Sequence, residues 1–176
     1  MKKIFKLLFT IFCVFFSQQL YAKDSPVIFM VLESGIVKIK TFPDKAPITV
    51  SRMIELSESG FYDGLTFHRV ISGFMAQGGD PKGNGTGGSG QNIKAEFNDL
   101  KHERGIVSMA RAQDPDSADS QFFICYDTHE FLDGKYTIWG KVIEGMNLID
   151  RIPEGKGQNG QVLKNPSKII SMRLKK

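Results

Sequence analysis

At 176 residues the chain has room for one domain with a sizeable core, and 41% apolar against 24% charged residues excludes a disordered protein. A formal net charge of +4 invites a nucleic-acid reading, but the excess sits at one end. Residues 1–22 hold three lysines and no acid, and the remainder has twenty basic against nineteen acidic residues, which removes the electrostatic case for nucleic acid.

In chain order, the first segment has the layout of a secretory signal. Lys2 and Lys3 precede an apolar stretch over 4–16, broken only by Lys6 and Thr10, and a more polar exit ends at Ala22, a small residue that suits a cut. The mature domain is then 23–176. The alternative is an uncleaved anchor, although the apolar stretch is shorter than the roughly 20 residues a bilayer requires. Cys13 follows the bulky Ile11 and Phe12, which argues against lipid attachment there. After the signal one cysteine remains, Cys125, within the run Phe122-Phe123-Ile124-Cys125-Tyr126. It has no partner for a disulfide and is expected as a small buried apolar side chain.

Residues 27–32 and 35–42 are β-rich, and Glu33-Ser34-Gly35 between them predicts a hairpin whose second strand turns Ile36, Lys38 and Lys40 to water. Pro47 suits the first turn of a helix, with Val50, Met53, Ile54 and Ser57 on one face and Gly60 at its end. Further strands are expected over 105–112, 120–126 and 136–140, and a short helix carrying Met146, Ile149 and Ile152 follows them. In 167–174, Ile169, Ser171 and Arg173 alternate with Ile170, Met172 and Leu174, as a closing strand would. The loop 153–166, with three glycines, reads as exposed and flexible.

The centre of the chain is Phe67-His68-Arg69-Val70-Ile71-Ser72-Gly73-Phe74-Met75-Ala76-Gln77-Gly78-Gly79-Asp80. It carries a cation, two large apolar groups and an amide toward one place before glycines end the run. The glycine-dense loop 80–90 lacks the G-K-[ST] ending and following helix of a phosphate-binding loop, so it reads as a tight structural loop. Taken singly, Phe74, Met75 and Phe123 would be core residues, Arg69 a surface cation and His68 a structural hydrogen-bonding residue.

Jointly, F-H-R-x-x-x-G-F-M-x-Q-G-G-D, M-A-R-A, S-Q-F-F-I and F-L-D-G-K-Y resemble the cyclophilins, and their M-A-R-A and D-G-K-Y forms resemble bacterial members. The resemblance covers residues 26–175. It implies a mainly β fold, a closed eight-stranded antiparallel barrel capped by two helices, and rotation about X-Pro peptide bonds as the activity. It also implies that Arg69, Phe74, Gln77 and Phe123 carry catalysis. Met75, Gly85, Ala110, Arg111, Ala112, Gln121, Phe131, Leu132 and Tyr136 would bind substrate, with the backbone of 110–112 pairing to the peptide. No cofactor or metal is implied. The expected partners are proline-containing peptides and unfolded exported proteins, met by a monomer in the periplasm without stable membrane association after signal cleavage; secretion is the alternative.

Four departures from the family's pattern bear on specificity. Phe131 stands where cyclosporin-sensitive members have tryptophan, so weak cyclosporin binding is expected. Tyr136 replaces a histidine, Arg111 an asparagine and Ser72 a frequent proline. A peptide-binding module that keeps the slot without turnover is the rival reading, and the retained Arg69 favours the enzyme.

Overall fold

The computed structural model describes residues 25–175. The expected signal over 1–22, with its expected cut after Ala22, lies outside the described residues. Among those described, no helix is long and apolar enough to cross a membrane.

Eight antiparallel strands make one curled sheet: β1 (Val27–Leu32), β2 (Gly35–Thr41), β3 (Arg69–Ile71), β4 (Met75–Gly78), β5 (Ile106–Met109), β6 (Phe122–Cys125), β7 (Ile138–Glu144) and β8 (Ile169–Leu174), in the order β3-β4-β6-β5-β7-β2-β1-β8. Two helices join them, α1 (Pro47–Glu58) and α2 (Met146–Ile149). The eight strands and two helices match expectation, but the closure does not. β3 and β8 are the two edges and no ladder joins them, so the sheet is an open half-barrel. Single backbone bonds cross the seam instead, from Phe67 N–H to the Ser167 carbonyl (3.0 Å) and from Ile169 N–H to the Leu65 carbonyl (2.8 Å). A three-residue edge strand offers too few groups for a continuous ladder.

The first hairpin forms as its pattern requires. Ile28, Met30 and Leu32 pair across to β2 while Val37, Ile39 and Thr41 bury their side chains, leaving Ile36 and Lys40 exposed. Alternation fails in β8, where the register against β1 shifts between Val31 and Leu32. The bulge turns Ile170 outward and buries Ile169 with Met172, contrary to the face that simple alternation assigns it. Pro47 opens α1 without a side-chain cap of its own. The carboxylate of Glu96 caps it from a distance, accepting from Ile48 N–H (2.9 Å) and from Thr49 N–H (2.8 Å). Val50, Met53, Leu56 and Ser57 face the core, with Leu56 deeper than the expected Ile54.

β6 separates two apolar clusters because all four of its residues are buried, alternately on its two faces. Phe122 and Ile124 point into the curl, where Phe122 meets Trp139 edge-on at 6.2 Å and Phe67 at 6.3 Å. Phe123 and Cys125 point the other way and join Met75, Ile106, Leu132 and Ile138. Burial pushes the Cys125 thiol up to about 12, so it is an inert apolar residue as expected. The second cluster is the floor of the site.

Candidate active site

Register builds the site. Arg69 on β3 sits opposite Gln77 on β4, which sits opposite Phe123 on β6, which sits opposite Ser108 on β5. Cross-strand partners share a face, so cation, amide, ring and hydroxyl form one row across four strands. Met75, two residues before Gln77, projects to the same side. Above this row lies a cavity of about 210 Å³ lined by Arg69, Phe74, Met75, Gln77, Ala110, Arg111, Phe123, Phe131, Leu132 and Tyr136. A neighbouring cavity of about 360 Å³ shares Gln77, Ala110 and Arg111 with it and reaches Gly85, Ala112 and Gln121. All thirteen predicted residues therefore line one continuous groove.

The Arg69 guanidinium is held from two sides. Its Nη1 donates to Gln77 Oε1 at 3.1 Å and its Nε donates to the Asn159 carbonyl at 3.0 Å. Gln77 Nε2 then donates to Gln121 Oε1 (2.9 Å), and Gln121 Nε2 to the carbonyls of Gly85 (3.1 Å) and Gly87 (2.8 Å). A guanidinium has donors only, so it dictates which way both amides face. Among the described residues Nη2 has no hydrogen-bond acceptor. Burial draws the Arg69 pKa down, with Tyr136 opposing, yet from an ordinary value this high the group stays cationic.

The floor of the slot is apolar and buried. Phe123 and Leu132 are buried and Met75 is fully so, whereas Phe131 at 60% exposure forms an open rim beside Phe74. Arg111 lies over the Tyr136 ring at 4.7 Å and donates to the carbonyls of Lys135, Ala112 and Gln113, tying two walls together. The expectation that all of 110–112 pairs with a peptide needs correction. The Ala110 N–H is committed to the Gln121 carbonyl (2.9 Å) and the Ala112 N–H to Ser117 Oγ (2.9 Å). The Arg111 N–H and C=O remain without partners among the described residues.

Several contributors are absent from the sequence reading. Asp80, buried, accepts from the N–H groups of Lys82 (2.8 Å), Asn84 (3.0 Å) and Gly85 (2.5 Å), which shapes the glycine loop. Burial pushes its carboxyl up, but these N–H groups outweigh burial and hold it below the ordinary range. An aspartate opening a run of Gly and Asn was the available signal. His129 hydrogen bonds to the Phe74 carbonyl (3.0 Å) and meets the Phe74 ring edge-on at 4.8 Å, fixing the rim. His68 departs from expectation, since it is buried and among the described residues neither ring nitrogen makes a well-formed hydrogen bond.

His102 is a further omission. It stacks on Phe123 at 6.1 Å, with Nδ1 against Asp133 Oδ1 (3.0 Å) and Nε2 against Ser108 Oγ (3.2 Å). The trio has the composition of an acyl-transfer triad, but Ser108 is fully buried and also bonds the Thr137 carbonyl (2.9 Å). No substrate reaches that hydroxyl, so the array is a support behind Phe123.

The family model for cyclophilin type peptidyl-prolyl cis-trans isomerase/CLD matches residues 27–174. The chain belongs to the cyclophilin-type peptidyl-prolyl cis-trans isomerases. A probable peptidyl-prolyl cis-trans isomerase of Brucella abortus is 44% identical over 87% of this chain and 84% of its own length. Peptidyl-prolyl cis-trans isomerase B of Bacillus subtilis is 43% identical over 77% and 92% respectively. The crystal structure of a Cryptosporidium parvum cyclophilin, determined in the presence of the dipeptide Ala-Pro, superimposes with a TM-score of 0.77 at 33% identity, covering 85% of this chain and 99% of that one. The family and the fold thus stand on independent grounds.

Proposed function

We propose that this isomerase binds an extended proline-containing peptide along the groove, seats the proline ring over Phe123, and uses Arg69 Nη2 to stabilise the twisted X-Pro amide. Rotation about that bond faces a barrier of about 18–20 kcal/mol and takes tens to hundreds of seconds unaided. Reaching milliseconds needs roughly 5–7 kcal/mol of barrier lowering. No bond breaks and no proton transfers. As the amide twists, its nitrogen becomes pyramidal and gains a lone pair, and a cationic donor aimed there favours the transition state over both planar forms. Phe74, Met75, Phe123 and Leu132 grip the ring, Gln77 and Gln121 orient Arg69, and the free Arg111 N–H and C=O pair with the peptide backbone.

The observation that carries this reading is Arg69, fixed through Nε and Nη1 with Nη2 unpaired at the slot. The clients are exported proteins folding in the periplasm, and the chain acts as a monomer; the layout of residues 1–22 supports the location. Phe131 brings no indole N–H, which supports weak cyclosporin binding. Exchange NMR on a proline peptide tests the function. Accelerated cis-trans exchange with the chain lacking residues 1–22 is expected. Binding without acceleration overturns the enzyme reading in favour of the binding module.

A further inference from the structure

The loop 153–166, flexible by its composition, holds a docked hairpin. Lys156 N–H bonds the Gln161 carbonyl (2.9 Å) and Gly160 N–H the Gly157 carbonyl (3.2 Å), closing a four-residue turn over 157–160 with Gln158 and Asn159 at its centre. The hairpin lies along the free edge of β3. Val70 N–H donates to the Gly160 carbonyl (2.7 Å), Gly155 N–H to the Val70 carbonyl (2.9 Å), and Val162 N–H to the His68 carbonyl (2.9 Å). These bonds pin the residues on both sides of Arg69, and the Asn159 carbonyl takes the Arg69 Nε–H between them (3.0 Å).

We propose that the hairpin 155–162 is a positioning element for the isomerase reaction, in which the Asn159 carbonyl, through Arg69 Nε–H, sets the direction of the guanidinium. The inference rests on the role given to Arg69 under Proposed function. A planar fork held by Gln77 alone can turn about that single bond. A second acceptor at Nε fixes the plane and with it the line along which Nη2 donates. The acceptor is a backbone carbonyl, so its placement depends on how closely the hairpin docks. Gly160 sets that distance: its φ is +63°, and a Cβ there would stand 2.3 Å from Ile71 Cγ1 and 2.7 Å from the Val70 carbonyl oxygen. Only glycine permits this approach.

The test pairs a spectroscopic signature with kinetics. In the otherwise unaltered chain lacking residues 1–22, the Arg69 Nε–H cross-peak, assigned by its loss in Arg69→Lys, is expected to be shifted and slow to exchange with water. In Gly160→Ala it should move to the free-arginine position. There kcat/KM should fall on the order of 10–100-fold, as misplacement by about 1 Å does, while peptide Kd stays within about twofold. Gly157→Ala, where an added Cβ meets nothing within 4 Å but φ is +69°, should shift both readouts less in the same direction. If Gly160→Ala does not fold, the wild-type cross-peak decides: an Nε–H exchanging at the solvent rate overturns the proposal. So does a folded Gly160→Ala that loses the signal yet keeps kcat/KM. Absence of catalysed exchange in the wild type would sink the isomerase reading itself, a separate result.

Discussion

Two glycine-rich loops converge on Arg69, and they are held in opposite ways. Loop 80–90 folds around two carboxylates, Asp80 at its start and Asp119, which accepts from Ser89 Oγ and Gly90 N–H, and it delivers the Gly85 and Gly87 carbonyls to Gln121 and so, through Gln77, to Nη1. Loop 153–166 has no organising side chain. Its backbone docks on β3 and its Asn159 carbonyl reaches Nε directly. The first support is a relay of three links built from amides and acids. The second is a single link built from main chain and the close approach of a glycine. A relay should soften gradually when one member is changed, whereas a docked backbone should fail when the docking distance changes.

Phe123→Ala sets the baseline for that comparison because the ring touches neither loop. It is buried at 5% exposure and stacks on His102, so truncation should cost about 3–5 kcal/mol of stability and weaken peptide binding together with rate. Unchanged unfolding free energy, measured by chemical denaturation, would mean that the ring is not the floor described here. Next in size is Arg69→Ala, which removes the group that both loops hold. It should raise the barrier by about 2–4 kcal/mol with little change in ground-state affinity. Peptide titration beside exchange NMR measures both quantities. An unchanged exchange rate on bound peptide would refute the mechanism.

Asp80→Asn probes the relay alone. The variant loses the charge that accepts from three N–H groups, and about 1–3 kcal/mol of stability should go with it. Activity should fall less than in Arg69→Ala, because Gln77 still meets Arg69 directly. A loss of activity matching that of Arg69→Ala would show that the relay, not the direct clamp, governs the cation.

The same contrast explains what was legible in the sequence. Arg69, Gln77 and Phe123 were named through the resemblance to the cyclophilins, which rests on side chains and can be matched residue by residue, whereas taken singly Phe123 would be core and Arg69 a surface cation. The hairpin of β1 and β2 was legible through alternation. The Asn159 carbonyl was not, since every residue has one and only Gly160 marks the place where a backbone comes close. The Asn-Gly dipeptide would have pointed to a two-residue turn, whereas the loop has four residues, 157–160, and Asn159 lacks the positive φ that such a turn requires. Ile170 was misassigned because a bulge is invisible to a period of two. Closure of the barrel depends on how far the edge strands β3 and β8 extend, and periodicity does not report the pairing of edges.

The smallest effect is the most diagnostic for proton chemistry. The two histidines nearest the row are buried, and burial lowers the pKa of each, with Asp133 partly opposing it at His102. Between about pH 6.5 and 9 neither changes charge in the folded chain and Arg69 stays charged, so kcat/KM should be nearly flat. Stability behaves differently. A histidine whose folded pKa lies below its unfolded value of about 6.5 binds protons more readily when unfolded, so its contribution is complete above that pH and declines as pH falls below it. A second decline belongs to Asp133. Burial alone would raise its carboxyl, but the N–H and ring of His102 together with Lys101 bring it to about 2. That contribution is present above its ordinary value and is lost between about pH 4 and 2. A Tm that is flat from pH 7 to 9 and falls in these two steps is the expected record, and His102→Asn should shrink the first step. A bell-shaped rate profile near neutrality would make His68 or His102 a chemical participant. A Tm that rises from pH 7 to 5.5 would show instead that a charged His102, donating to Asp133 and Ser108 at once, is the stable folded form.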